Sequence, residues 1–139
     1  MITKLHNVSE YTELLKQQGL LVSVSGDTDA LVGHISYNSM DIKDNSLFVC
    51  KGAHFSEKYL HDAVKKGSTV YVSEKEYELP ENSEVTAVIV NDIRSAMGYI
   101  ANLFYNNIWD SLHLTGITGT KGKSSTAYFV KYILDDYLR

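Results

Sequence analysis

Leu112-His113-Leu114-Thr115-Gly116-Ile117-Thr118-Gly119-Thr120-Lys121-Gly122-Lys123-Ser124-Ser125-Thr126 reads as an apolar strand, a glycine turn and the start of a helix. In that order, Gly119 and Gly122 let backbone N–H groups converge on an anion with no Cβ in the way, and the positive end of the helix faces the same charge. Lys123 adds a mobile ammonium for terminal phosphates, Ser124 offers a hydroxyl to a Mg²⁺ bridging two phosphates, and Lys121 supplies a second positive contact. The predicted ligand is MgATP or MgGTP, held by Thr118, Gly119, Thr120, Lys121, Gly122, Lys123 and Ser124, with Ser124 meeting the metal through the nucleotide. The strict pattern G-x-x-x-x-G-K-[ST] requires glycine at 117, where the chain has Ile117. A glycine-rich turn whose lysine stands in solvent shows the same G-K-S, so the preceding strand and flanking threonines carry the distinction.

Upstream, helical and strand periods alternate. Val8, Tyr11, Leu14 and Leu15 fall at helical spacing and Gly19 stops them. Strands are predicted over residues 20–25, 31–37 and 46–50, separated by Asp, Asn and Ser clusters and a Gly26-Asp27 turn. Tyr59, Leu60, Ala63 and Val64 restore the helical period, Gly67 closes it, and residues 70–72 form a buried strand, a β-α-β unit that implies parallel pairing. After the polar stretch 74–84, residues 85–90 read as a strand, and Asp92 caps a helix bearing Ile93, Ala96, Met97, Ile100, Ala101 and Phe104. Residues 106–111 break the pattern, a strand is predicted over 112–118, and a last helix runs from about Lys123. The domain boundary falls near Trp109, giving an α/β domain over residues 1–109 and the beginning of a second over 110–139.

The bulk numbers narrow the functional classes. With 44% apolar and 22% charged residues and one proline among 139, the chain can build a core and is neither disordered nor collagen-like. A net charge of −4 with acids and bases interspersed offers no basic footprint for nucleic acid. Cys50, the single cysteine, cannot form an intrachain disulfide, residues 1–11 lack the apolar core of a signal peptide, and no run approaches the ~20 apolar residues of a membrane helix. A reduced cytoplasmic protein is expected, with no membrane or nucleic-acid partner.

The string from Gly116 to Ser125 resembles the ATP loop of the Mur ligase family, usually T-G-T-[NK]-G-K-[ST]-[ST], in which the position of Ile117 is not glycine. Upstream, Ile35-Ser36-Tyr37-Asn38-Ser39-Met40 and Ser46-Leu47-Phe48-Val49-Cys50-Lys51-Gly52 are similar to the family's D-S-R and L-F-V-A motifs, in the same order. The resemblance implies a small mixed-sheet uridine-nucleotide-binding N-terminal domain, followed by the first strand, phosphate loop and helix of a truncated ATP-binding domain. It carries the uridine contact to Ser39, with Lys51, Gly52, Ala53 and His54 as further candidates in the UDP-MurNAc site. Asn38 and Met40 depart from the family's Asp and Arg, removing a charged pair that could brace the loop.

The branch of the family resembled is the one that adds the third amino acid to UDP-MurNAc-L-Ala-D-Glu in cell-wall precursor synthesis. The implied chemistry is ATP-dependent, with Mg²⁺: the D-glutamyl carboxylate becomes an acyl phosphate and the incoming amine displaces phosphate. Lys121 and the Lys51-Gly52 pair look most like members that add L-lysine rather than meso-diaminopimelate. The chain ends 15 residues past Ser124, so the expectation is a truncated polypeptide, inactive alone and without a catalytic residue of its own. Its last helix carries an apolar stripe of Val130, Leu134 and Leu138 and is expected to pack on the upstream domain or another chain, a route to self-association.

Other features carry less. His6, His34, His54, His61 and His113 show neither H-x-x-x-H pairing nor zinc spacing. Cys50 reads as a small buried thiol. Of the ten tyrosines, Tyr59, Tyr99, Tyr105, Tyr128, Tyr132 and Tyr137 lie in predicted helices, and most are expected to pack or cap the core. Two other readings stay open at this point: a uridine-nucleotide-binding module without turnover, and another phosphate-loop protein such as a folylpolyglutamate-type ligase or a small kinase.

Overall fold

The computed structural model describes residues 5–52, 55–80 and 83–138. They form two compact units, Met1–Ile108 and Trp109–Arg139.

The first unit is mixed α/β. In chain order it contains β1 (His6–Asn7), α1 (Val8–Gln17), β2 (Leu21–Ser25), β3 (Leu31–Val32), β4 (His34–Ser36), β5 (Ser46–Val49), α2 (Glu57–Lys65), β6 (Ser68–Ser73), β7 (Thr86–Val90) and α3 (Ile93–Phe104). Five strands make one sheet in the order β2-β7-β6-β5-β4. From β4 to β7 neighbouring strands are parallel, and β2 joins β7 antiparallel.

Alternation along the central strands divides the core. Leu47, Val49, Val70, Val72, Val88 and Val90 face α1 and α3, where Val8, Tyr11, Leu15, Ala96 and Ile100 meet them. Phe48, Cys50, Tyr71, Ala87 and Ile89 face the opposite side, over Leu60 and Ala63 of α2. Burial on both faces is why these strands are apolar runs and not polar-apolar alternations.

The predicted helices form, and their ends follow from named residues. Asn7 caps α1 by accepting from Glu10 N–H at 3.2 Å, and Gly19 leaves it at φ 68°. Asp92 caps α3, its Oδ1 accepting Arg94 N–H at 2.9 Å and Ser95 N–H at 3.1 Å while the Ser95 hydroxyl donates to Oδ2 at 2.7 Å. The Ser95 hydroxyl and these amides hold the Asp92 carboxyl below the ordinary carboxylate range. A depressed carboxylate contributes stability that is complete above its unfolded pKa and fades as pH falls through the folded one. Asp92→Ala is therefore expected to unfold at a lower temperature than the parent near neutral pH, the gap narrowing in acid. Thermal melts of both proteins across pH check this.

Several expectations change. The strand predicted over residues 31–37 is two strands in two sheets: β3 pairs antiparallel with β1, β4 pairs parallel with β5, and between them Gly33 N–H donates to Asn45 O at 2.9 Å. The short β1 was not anticipated, since two residues carry no period. The tyrosines expected to pack or cap the core mostly do not: Tyr59, Tyr105, Tyr128, Tyr132 and Tyr137 are exposed, while Tyr11 and Tyr71 are the buried ones.

The second unit contains α4 (Lys123–Tyr137). The strand expected over residues 112–118 is absent; this segment takes no regular structure, and Leu114 is 83% exposed. Among the described residues of the unit there is no second strand to complete a ladder, and a lone extended segment leaves its backbone groups to solvent. Val130, Leu134 and Leu138 of α4 are likewise exposed. No helix among the described residues is long and apolar enough to cross a membrane.

Candidate functional site

Because β4 and β5 are parallel neighbours, the loops that follow them leave the sheet on the same side, the carboxyl ends where open α/β sheets bind ligands. The β4 loop carries Tyr37, Asn38, Ser39 and Met40, and the β5 loop carries Lys51 and Gly52. Together with Phe55, Tyr59 and Asp62 they line a cleft of about 490 Å³. The structure therefore brings together three residues picked from sequence, Ser39, Lys51 and Gly52. Ala53 and His54, the other two, lie outside the described residues.

The Ser39 turn is built locally. Asn38 Oδ1 accepts Met40 N–H at 2.9 Å, Asn38 O accepts Asp41 N–H at 2.9 Å, and Ser36 Oγ accepts Asn38 N–H at 3.1 Å. Asn38 thus shapes the turn with a neutral amide, which needs no charged partner. From outside, Lys66 Nζ donates to the Ser39 carbonyl at 2.7 Å. Ser39 is 8% exposed, and among the described residues its hydroxyl has no hydrogen-bond partner.

Lys51 Nζ lies 4.7 Å from the centre of the Tyr37 ring, a cation–π contact at the cleft wall. Gly52, at φ 111°, adopts a backbone conformation that only glycine takes without strain. Tyr37, Phe55, Tyr59 and Asp62 were not picked from sequence. For Tyr37 the available signal was adjacency to the Ser39 turn; Tyr59 and Asp62 lie on α2 with no signature in the chain order.

Cys50 borders a neighbouring cavity of about 410 Å³ that shares Lys51, Gly52 and Phe55. Burial pushes its thiol up to about 12, which removes it as a nucleophile near neutral pH. Three of the histidines are held by local partners. His6 bonds Glu10 and lies 3.3 Å from Asn106 Oδ1, His34 reaches Asp41 O at 3.1 Å, and His61 reaches Glu78 O at 3.0 Å.

In the second unit, Thr118, Gly119, Thr120, Lys121 and Gly122 form the exposed loop before α4, and Lys123 and Ser124 open the helix. Gly119 sits at φ 152° and Gly122 at 79°. Lys123 Nζ folds back to the Gly119 carbonyl at 2.5 Å, and Thr126 donates both N–H and hydroxyl to Gly122 O at 2.9 Å. No side chain caps α4. The first-turn amides, the helix dipole and a cation folded over the loop are a donor set that fits an anion.

No family model matches the chain. Curated relatives do. It is 46% identical over 121 residues to a UDP-N-acetylmuramyl-tripeptide synthetase of Limosilactobacillus reuteri, a match covering 87% of this chain and 23% of that protein. It is 48% identical over 101 residues to the UDP-N-acetylmuramoyl-L-alanyl-D-glutamate--L-lysine ligase of Enterococcus faecalis, covering 73% and 19%. With the Streptococcus mutans ligase of the same name the identity is 38% over 134 residues, covering 96% and 27%. The chain thus spans about a quarter of the length of the curated relatives it matches.

Among solved structures, an Acinetobacter baumannii UDP-N-acetylmuramoylalanyl-D-glutamyl-2,6-diaminopimelate--D-alanyl-D-alanyl ligase aligns with TM-score 0.63 at 18% identity, over 98% of this chain and 29% of that one. A MurF structure from the same organism aligns with TM-score 0.58 at 16% identity, over 80% and 23%. At these identities the structural likeness speaks for the fold and the sequence matches for the kinship. The chain belongs to the Mur ligase family, corresponding to the N-terminal part of its UDP-N-acetylmuramyl-tripeptide synthetases.

Proposed function

We propose that this chain supplies the uridine-nucleotide-binding front and the opening of the ATP-binding domain of a ligase that adds the third amino acid to UDP-MurNAc-L-Ala-D-Glu. The observation that carries the reading is the meeting of Ser39, Lys51 and Gly52 around one cleft at the carboxyl ends of β4 and β5. There the free Ser39 hydroxyl is a donor or acceptor for the nucleotide, and Lys51 balances its diphosphate charge. Ala53 and His54 are proposed as further contacts of the same ligand.

Residues 110–139 are proposed to begin the ATP-binding domain, with 112–118 pairing as a strand once the sheet of a longer protein surrounds it. The loop of Thr118, Gly119, Thr120, Lys121 and Gly122, with Lys123 and Ser124, would hold the polyphosphate. Magnesium, when bound with ATP through Ser124, screens phosphate charge. In the reaction the ATP γ-phosphoryl group passes to the D-glutamyl carboxylate, and the amine then displaces phosphate to leave an amide. This chain's residues bind the uridine handle and the polyphosphate, so turnover is assigned to a protein of the relatives' length, and the chain alone is expected to be inactive.

L-Lysine is the proposed third residue, supported by Lys121, Lys51-Gly52 and the names of L-lysine ligases among the relatives. The test is phosphate release by a protein extended to the relatives' length, supplied with MgATP, UDP-MurNAc-L-Ala-D-Glu and either L-lysine or meso-diaminopimelate. Faster release with L-lysine is expected; equal or faster release with meso-diaminopimelate contradicts that choice, and no release with either contradicts the ligase reading.

A further inference from the structure

Three consecutive residues at the turn from α2 into β6 hold the loop that carries Ser39. Lys66, the C-cap of α2, extends its ammonium to the Ser39 carbonyl at 2.7 Å and to Met40 Sδ at 3.5 Å. Gly67, at φ 106°, lets the backbone come so near that a Cβ there would stand 2.8 Å from Asp44 Oδ1 and 3.4 Å from Asp44 Cα. Ser68 donates its hydroxyl to Ser46 O at 3.0 Å, and Ser46 in turn accepts Lys43 N–H at 2.9 Å and donates to Lys43 O at 2.6 Å. Residues 39–46 are thereby fastened at both ends and near the middle to one short turn.

The fastenings differ in kind. At Asp44 and Ser46 the loop is tied by close backbone approach and neutral hydrogen bonds. At Ser39 the tie is a single charge-assisted bond from a flexible side chain. Among the described residues, Lys66 is the one side chain from outside the loop that bonds Ser39 or Met40. His34 and Ser36 of β4 hold the turn at Asp41 and Asn38, on either side of Ser39, and Lys66 reaches Ser39 itself from the end of α2.

We infer that Lys66 is a positioning residue, which sets where Ser39 stands in the cleft without touching the ligand. The inference rests on the reading of this cleft as the uridine-nucleotide site. Without Lys66 the carbonyl of a nearly buried residue loses its partner, and the turn relaxes toward water. Ser39 then meets the nucleotide out of register, although every lining residue is still present.

The test compares the parent chain with Lys66→Met and Lys66→Arg, by titration with UDP-MurNAc-L-Ala-D-Glu, thermal unfolding, and amide chemical shifts of residues 38–41 without ligand. Lys66→Met is expected to bind about tenfold more weakly, to move the loop amides, and to unfold at nearly the parent temperature. Lys66→Arg, which can still donate to the carbonyl, is expected to recover most of the affinity and the parent shifts. Parent-like binding by Lys66→Met, or equal weakening by both variants, overturns the inference. If the parent chain itself fails to bind, the reading of the cleft falls; the free-state shifts then decide the role of Lys66, unmoved loop amides in Lys66→Met refuting it.

Discussion

Replacing Lys123 by alanine, in a protein extended to the length of the relatives, is expected to slow ATP-dependent amide formation by about 10²–10³-fold, the usual cost of removing one preorganised stabiliser of transition-state charge. The ammonium already lies over the loop, 2.5 Å from the Gly119 carbonyl. On nucleotide binding it would exchange that carbonyl for phosphate oxygens, an anionic partner with more charge to offer. The first-turn amides of α4 and the helix dipole remain in the variant, so residual activity is expected. Uridine-nucleotide affinity, proposed to belong to the other unit, should change little. Phosphate release paired with uridine-ligand titration measures both; a rate within threefold of the parent would remove Lys123 from the chemistry.

Phe48→Ala is expected to destabilise the first unit by about 3–5 kcal/mol, a large share of the ~5–15 kcal/mol available to a typical domain. Phe48 is fully buried on β5, among Leu60 and Ala63 of α2 and Tyr71 of β6. Its removal leaves a void that three backbone elements would have to close together, and the same strand leads into Lys51 and Gly52. Weaker uridine-nucleotide binding should accompany the lost stability. By contrast Val22, 62% exposed on the edge strand β2, is expected to tolerate alanine within ~0.5 kcal/mol. Urea unfolding of the two variants makes the comparison, and equal midpoints would contradict the assignment of Phe48 to the core.

The elements that could be read from sequence are those whose signal is local. Helix α3 has its cap, Asp92, and a full apolar face in twelve consecutive residues. Strands β5, β6 and β7 are apolar on both faces because helices cover both sides. Gly33 illustrates what is not local: residues 31–37 look continuous, and only the competition between β1 and β5 for pairing partners divides them. The segment 112–118 has strand composition, yet composition supplies no neighbour to pair with.

The site divides in the same way. Ser39, Lys51 and Gly52 could be picked from motifs, but their convergence depends on β4 and β5 lying parallel and adjacent. Tyr59 and Asp62 reach the cleft from α2, a helix whose sequence reads simply as a packing element. Lys66 is one lysine among several on a polar surface, and the role inferred for it rests on the 2.7 Å contact across 27 residues of chain.

The most direct measurement is a calorimetric titration of this chain with UDP-MurNAc-L-Ala-D-Glu, repeated on Ser39→Ala. Saturable binding of one ligand per chain, weakened about tenfold or more by the substitution, is the result predicted by a uridine-nucleotide cleft built around Ser39. Absence of binding at millimolar ligand, or equal affinity in parent and variant, would contradict it.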